Sequence, residues 1–266
     1  MFSRFWIVSG NGVINGSDQS AVTIASFRIG PAFTGKIGDS GTPWKIGPCT
    51  YGWINSNAAA IYIQPSDAGS ALPELYIEGG ASGDDAIYLV DGTVTTAIVS
   101  RCGRFRIGAG VIIGTLHTTF ERNRRSDANV TIESGAALTT IDQFGGIITN
   151  RAAGGTINQY DGEFNHEGNS TMDITALNLL GNDALFRFRS QGGTITTANG
   201  KAGLLDCRGG NTRKRIITTL NTWKGFTADL RTGLNSVAIT NAINRQGGEV
   251  LGDPGRDYTL SAIPAA

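Results

Sequence analysis

The chain has 266 residues, enough for one large β domain or two ordinary ones, with 38 glycines and only 17% charged residues. Its 22 basic and 22 acidic side chains cancel, so the basic excess that phosphate neutralisation demands is missing and nucleic acid is not an expected partner. Scarce charge with many β-branched residues excludes a disordered chain, and the dense 3.6-residue patterns of long helices are not found.

The N-terminal stretch MFSRFWIVSG holds a four-residue apolar run, Phe5 to Val8. That is too short for a signal-peptide core or a bilayer span, so the expectation is a soluble protein made in a cytoplasm. From there a short phrase recurs, an apolar or basic lead followed by isoleucine and glycine. It appears as FRIG at 27–30, KIG at 36–38 and 45–47, and FRIG again at 105–108. YIEG at 76–79 and TIESG at 131–135 vary it with a carboxylate. Each reads as a strand end with isoleucine inward, charge outward and glycine opening a bend at positive φ. Residues 1–60, which hold Trp6, Trp44 and Trp53 with Pro31, Pro43 and Pro48, read as an irregular β cap on one end of a stack.

The middle of the chain, 61–211, carries a second phrase, in GAALTTIDQF, GGIITN, GGTINQYD and GGTITTAN. Alternation sets Leu138 on one face, and Ile147 and Ile157 fit inward positions after the bends. Strands of four to six residues joined by tight Gly/Asn corners every eight to ten residues predict a β-helix or solenoid, with two or three strands per turn. Thr and Asn ladders are expected at its corners. A β-sandwich or jelly roll is the alternative. Residues 212–266 keep short β runs with more charge and are expected to finish the coil or pack on a neighbour.

The search for chemistry yields less. Cys49, Cys102 and Cys207 are odd in number and far apart, which reads as three buried or half-buried thiols without a disulfide framework or a CxxC metal pair. GNGVING (10–16) and GAGVIIG (108–114) place the third glycine one residue late for a dinucleotide loop and read as strand and bend glycine. His117 and His166 lack a ligand partner at metal spacing and read as surface or corner residues. Asp84 with Asp85, and Asp161, Glu163 and Glu167, are the carboxylates on which glycan cleavage or calcium binding would rest. In a strand Asp161 and Glu163 share a face, yet acids beside glycine are ordinary solvated bends. No catalytic residue, metal or cofactor is therefore assigned. The basic runs ERNRRSD (121–127) and TRKR (212–215) read as solvated loops, or, at Arg122, Arg124 and Arg125, as a loop that docks an acidic partner.

Two stretches, AVTIASFRIGPAFTGKIG and ESGAALTTIDQFGGIITNRAAGGTINQYDGEF, resemble glycine-rich β-helical virion structural proteins of tailed bacteriophages. The likeness lies in texture and short phrases over most of residues 10–200. It implies a non-enzymatic virion protein, a capsid decoration (cement) protein on the capsid exterior, commonly a homotrimer, made in the host cytoplasm and partnered by the phage major capsid protein. The alternative it implies is a tail spike or fibre that binds or cleaves host-surface polysaccharide. A separate particle-binding head and a long coiled coil are not seen in the sequence, and a membrane partner is not expected.

Overall fold

An isoleucine that alternates with charge and ends at glycine makes a strand with one dry and one wet face. Ile29, Ile37 and Ile46 lie on three successive strands, Ile24–Phe33, Lys36–Ile37 and Trp44–Ile46, and all three are buried. They line three sides of one turn, which is what their spacing of eight and nine residues encodes. The structure, a computed structural model, describes residues 2–15, 18–19, 24–55, 60–65, 71–78, 87–100, 102–119, 129–168, 172–209, 214–231 and 237–252. Every regular element among them is a strand, and each pairs in parallel with the strand one turn on. The fold is a β-solenoid. Parallel stacking excludes the antiparallel sandwich or jelly roll, and an isolated bridge from Trp223 to Gly247 is the antiparallel exception.

The chain divides into two compact units, Met1–Leu138 and Thr139–Ala266. In the first, Phe2–Gly10, Ile24–Phe33, Tyr51–Asn55 and Leu72–Glu78 stack in order, followed by the second halves of Ile87–Ser100 and Phe105–Thr119. Inward positions form columns along the stack. Ile29, Ile54, Ile77 and Val99 make one; Ile63, Leu89, Ile107 and Ile132 make another, and all are buried. Each such side chain contributes about 1.5–3 kcal/mol by leaving water. The expected inward isoleucine is thus found in every copy of the phrase.

Several expectations change. Among the described residues of 1–60, Phe2–Gly10, Ile24–Phe33 and Tyr51–Asn55 ladder into the stack, and Val13–Ile14 and Lys36–Ile37 are very short strands. Strands also exceed six residues, reaching 14 in Ile87–Ser100 and 15 in Phe105–Thr119. Gly38 and Gly135 have the positive φ expected of the phrase, but Gly30 and Gly108 lie inside extended strands. These two are glycine because the previous turn bulges against them. A Cβ would stand 3.0 Å from the Val8 carbonyl oxygen at Gly30 and 2.6 Å from that of Val90 at Gly108, where the register slips between Ile7 and Ser9 and between Leu89 and Asp91.

The second unit has two strands per turn. One stack comprises Gly154–Gln159, Ile174–Leu179, Thr194–Gly200, Arg215–Trp223 and Val237–Gln246. The other runs from Ile147–Asn150 through Glu163–His166, Leu185–Phe188, Gly203–Asp206 and Phe226–Asp229 to Glu249–Leu251. Leu138 and Ile157 are buried as expected, but Ile147 faces outward and Ile148 takes the inward position. The alternation is offset by one residue from the expected phase, and a one-residue offset exchanges faces. Phe164 and Phe186 stack at 5.0 Å in the core.

An asparagine ladder braces the wet face of the first stack. Asn158 donates to Asp142 at 2.7 Å, Asn178 to Asn158 at 2.7 Å, Asn199 to Asn178 at 2.8 Å, Asn221 to Asn199 at 2.7 Å and Asn244 to Asn221 at 2.6 Å. Asn158, Asn178, Asn199 and Asn221 each use Nδ2 toward the turn before and Oδ1 toward the turn after, so one geometry satisfies both. The ladder lies within the strands, near their ends, and not in the bends where Thr and Asn ladders were expected. Asn178→Ala removes two of these bonds at once and is expected to lower stability by about 1–3 kcal/mol. Asn241→Ala, whose amide reaches Thr219 Oγ1 at only 3.4 Å, should leave the urea midpoint nearly unchanged, and equal midpoint losses in the two variants would remove the ladder's special role.

Candidate functional site

Outward positions of the first unit form a lane of aromatic and charged side chains. Register sets Trp6 over Arg28, Arg28 over Trp53, Trp53 over Tyr76 and Tyr76 over Ile98. The Arg28 guanidinium carbon lies 5.4 Å from the ring centroids of both Trp6 and Trp53 and 5.8 Å from that of Tyr51. Such cation–π contacts at exposed sites contribute about 0.5–1 kcal/mol each. Tyr51 packs on Tyr76 at 5.3 Å, and Trp53 Nε1 donates to Glu78 at 3.3 Å with the Asn55 amide at 3.5 Å from the same oxygen. Trp6 stays 51% exposed. A second aromatic row runs beside it. Lys36 stands over Tyr62, Tyr62 meets Tyr88 edge-on at 5.6 Å, and Arg106 covers Tyr88 while pairing with Glu133 at 2.7 Å.

The second unit concentrates charge at a corner. In DCR (206–208) and DLR (229–231) each aspartate, its side chain nearly buried, accepts from the backbone and the guanidinium of the arginine two places on. Arg208 also reaches Asp229 at 3.4 Å, and Arg189 reaches Asp206 at 4.0 Å, which links successive turns. Burial alone would push the Asp206 carboxyl up, but the hydrogen bonds and charge of Arg208 hold it below its ordinary value. For Asp229 the Arg231 hydrogen bond dominates in the same direction.

Corners on the inside are closed by buried polar side chains. The Gln143 amide donates to the carbonyls of Gly146 and Glu163, each at 3.0 Å, and Gln159 repeats the arrangement with Gly162 at 2.9 Å and Leu185 at 3.1 Å. The spacing Gln-x-x-Gly in QFGG and QYDG is therefore a corner device, with Gly162 at φ +84° in the bend. At another corner His166 is fully buried, its Nε2 3.1 Å from the Met172 carbonyl and its Nδ1 3.3 Å from the Asn150 amide. The ring is neutral, with Nε2–H donating and Nδ1 accepting. Burial pushes its pKa down to about 4.

The structure sorts the residues that the sequence singled out. Arg122, Arg124 and Arg125, with Asp84 and Asp85, lie outside the described residues. Asp161 and Glu163 are not a pair on one strand face. Asp161 sits in the bend and caps the Gly162 N–H, whereas the strand begins at Glu163. Glu163 instead pairs with Arg187 one turn on and accepts from Asn165 at 2.8 Å. Glu167 lies 3.7 Å from Arg151. His117 stands in the outward column beyond Ile98. His166, read as a surface or corner residue, is at a corner but inside it, because the strand alternation that buries Phe164 carries position 166 inward as well.

TRKR is not simply a solvated run either. Arg215 is fully buried, donating to the carbonyls of Phe188, Cys207 and Gly209. Cys49, Cys102 and Cys207 are free and buried, and burial lifts the thiols of Cys102 and Cys207 to about 12, which keeps them protonated. GAGVIIG lies within the strand Phe105–Thr119, as strand glycine. Among the described residues no three His, Cys, Asp or Glu side chains converge as a metal site. The chain matches no family model, no curated protein and no solved structure. The aromatic lane had escaped the sequence reading because its members are 22 to 25 residues apart; only the turn length brings them together.

Acid should act through these groups in a fixed order. His166 has a folded pKa below its unfolded value of 6.5, so its contribution is complete above pH 6.5 and is lost as pH falls toward about 4. Asp206 and Asp229, depressed below 3.8, add their loss only below that value. In denaturant titrations from pH 7 to pH 3, His166→Gln is expected to flatten the upper limb alone. A variant that retains the full slope between pH 6.5 and 4 would free His166 from that role.

Proposed function

We propose that this chain is a non-enzymatic structural protein of a phage virion, a decoration protein on the capsid exterior that clamps neighbouring copies of the major capsid protein. What supports this reading most is where the polar side chains go. Asn158 to Asn244, Glu163 with Arg187, and the Asp206–Arg208–Asp229–Arg231 corner all link one turn to the next. These described carboxylates and guanidinium groups brace the coil, and a coil braced in this way suits a protein whose task is to stay rigid on a surface. The phage assignment itself rests on the resemblance in AVTIASFRIGPAFTGKIG and ESGAALTTIDQFGGIITNRAAGGTINQYDGEF.

The test is cosedimentation of the purified chain with undecorated phage capsids. Saturation at a fixed ratio to coat subunits is expected, with charge reversal at Arg122, Arg124 and Arg125 lowering occupancy several-fold if that loop docks the coat. A protein that stays in the supernatant and instead binds or shortens host polysaccharide belongs to the tail-spike class, and the decoration reading fails.

A further inference from the structure

We propose that the Trp6–Arg28–Trp53–Tyr76 lane is a self-complementary docking surface that joins two copies of this chain antiparallel, about a two-fold axis at the level of Trp53. The lane is made of tryptophan, tyrosine and arginine, the residue types that dominate binding energy at protein interfaces. Its sequence along the stack decides the partner. Arg4 and Arg28 occupy the first two turns, and Glu74 and Glu78 lie one turn beyond Trp53.

A two-fold axis along the strand direction reverses the order of turns and keeps each column facing itself. Trp53 then meets its own copy. Arg28, one turn to one side, meets Tyr76 with Glu74 beside it, one turn to the other. Trp6, two turns away, meets Ile98, so the most exposed ring of the lane finds an apolar side chain. Opposite charges and apolar groups match together. Copies packed face to face in parallel, as in a three-fold bundle of coils, would set Arg28 level with Arg28 and Glu74 level with Glu74. Like charges directly opposed across an interface work against that arrangement. The two-fold pair therefore stands in place of the trimer that the resemblance implies.

The lane is also ordered before it docks. Arg28 is held between Trp6 and Trp53, and Glu78 is held by Trp53 and Asn55. Side chains already fixed lose less entropy on association. Glu74 projects from the same face and is exposed.

Sedimentation velocity on the full chain, over a range of concentrations at low and high salt, tests the pair without any capsid, so its outcome is separate from the decoration reading. The expected species has twice the 27.9 kDa chain mass and weakens as salt rises. Arg28→Glu and Glu74→Arg should each shift the protein to monomer, and the double variant Arg28→Glu/Glu74→Arg should restore the dimer, with circular dichroism confirming folding in all three. A wild-type chain that is monomeric at every concentration, a trimer mass, or a double variant that stays monomeric would each overturn the proposal.

Discussion

Parallel backbone pairing between successive turns is the constraint from which the other features follow. Once Asn178 lies over Asn158 and Asn199 over Asn178, 20 and 21 residues apart, the face of every intervening strand residue is decided by alternation. Inward columns then contain one residue per turn and must fill the interior by size. Gly52 shows the consequence, since a Cβ there would stand 2.3 Å from the Phe27 ring. Gly200 leaves room for the ring of Phe226, which belongs to the other stack. At such a place the ring of one residue fills the space that the glycine leaves empty.

Turns also impose an accounting on polar groups. A coil has corners, and carbonyls there keep a second lone pair even where the next turn bonds them, as the Glu163 and Leu185 N–H groups bond Gly146 and Gly162. Gln143, Gln159, His166 and Arg215 are buried at such places and meet those carbonyls from inside. A solenoid can thus hold a neutral histidine and a buried guanidinium without chemistry being their purpose. On the outside the same rule produces like-on-like columns, of amides in the second unit and of rings and guanidinium in the first.

The two outer surfaces have different physical consequences. An amide ladder satisfies its own donors and acceptors along the stack and offers a neighbour little. An aromatic lane satisfies its charges only in part and keeps apolar area in water, at Trp6 above all. The first kind of surface stiffens the coil, and the second leaves apolar area and charge at the surface where a partner could meet them.

The sequence by itself carried the class and the inward faces. Isoleucine alternating with charge before glycine makes a half-buried strand whatever the partner, so Ile29, Ile37, Ile46, Ile77, Ile107 and Ile132 were legible as core. The spacing of eight and nine residues between Ile29, Ile37 and Ile46 announced the corners of a coil. What lies above what was not legible, because turn length varies, from 16 residues between Asp142 and Asn158 to 25 between Arg28 and Trp53, and a single residue's slip exchanges the faces, as at Ile147 and Ile148. Neighbours across turns are set by loop lengths that no local pattern fixes. Only the tertiary structure could therefore separate Asp161 from Glu163, bury His166 and Arg215, and gather Trp6, Arg28, Trp53 and Tyr76 into one lane.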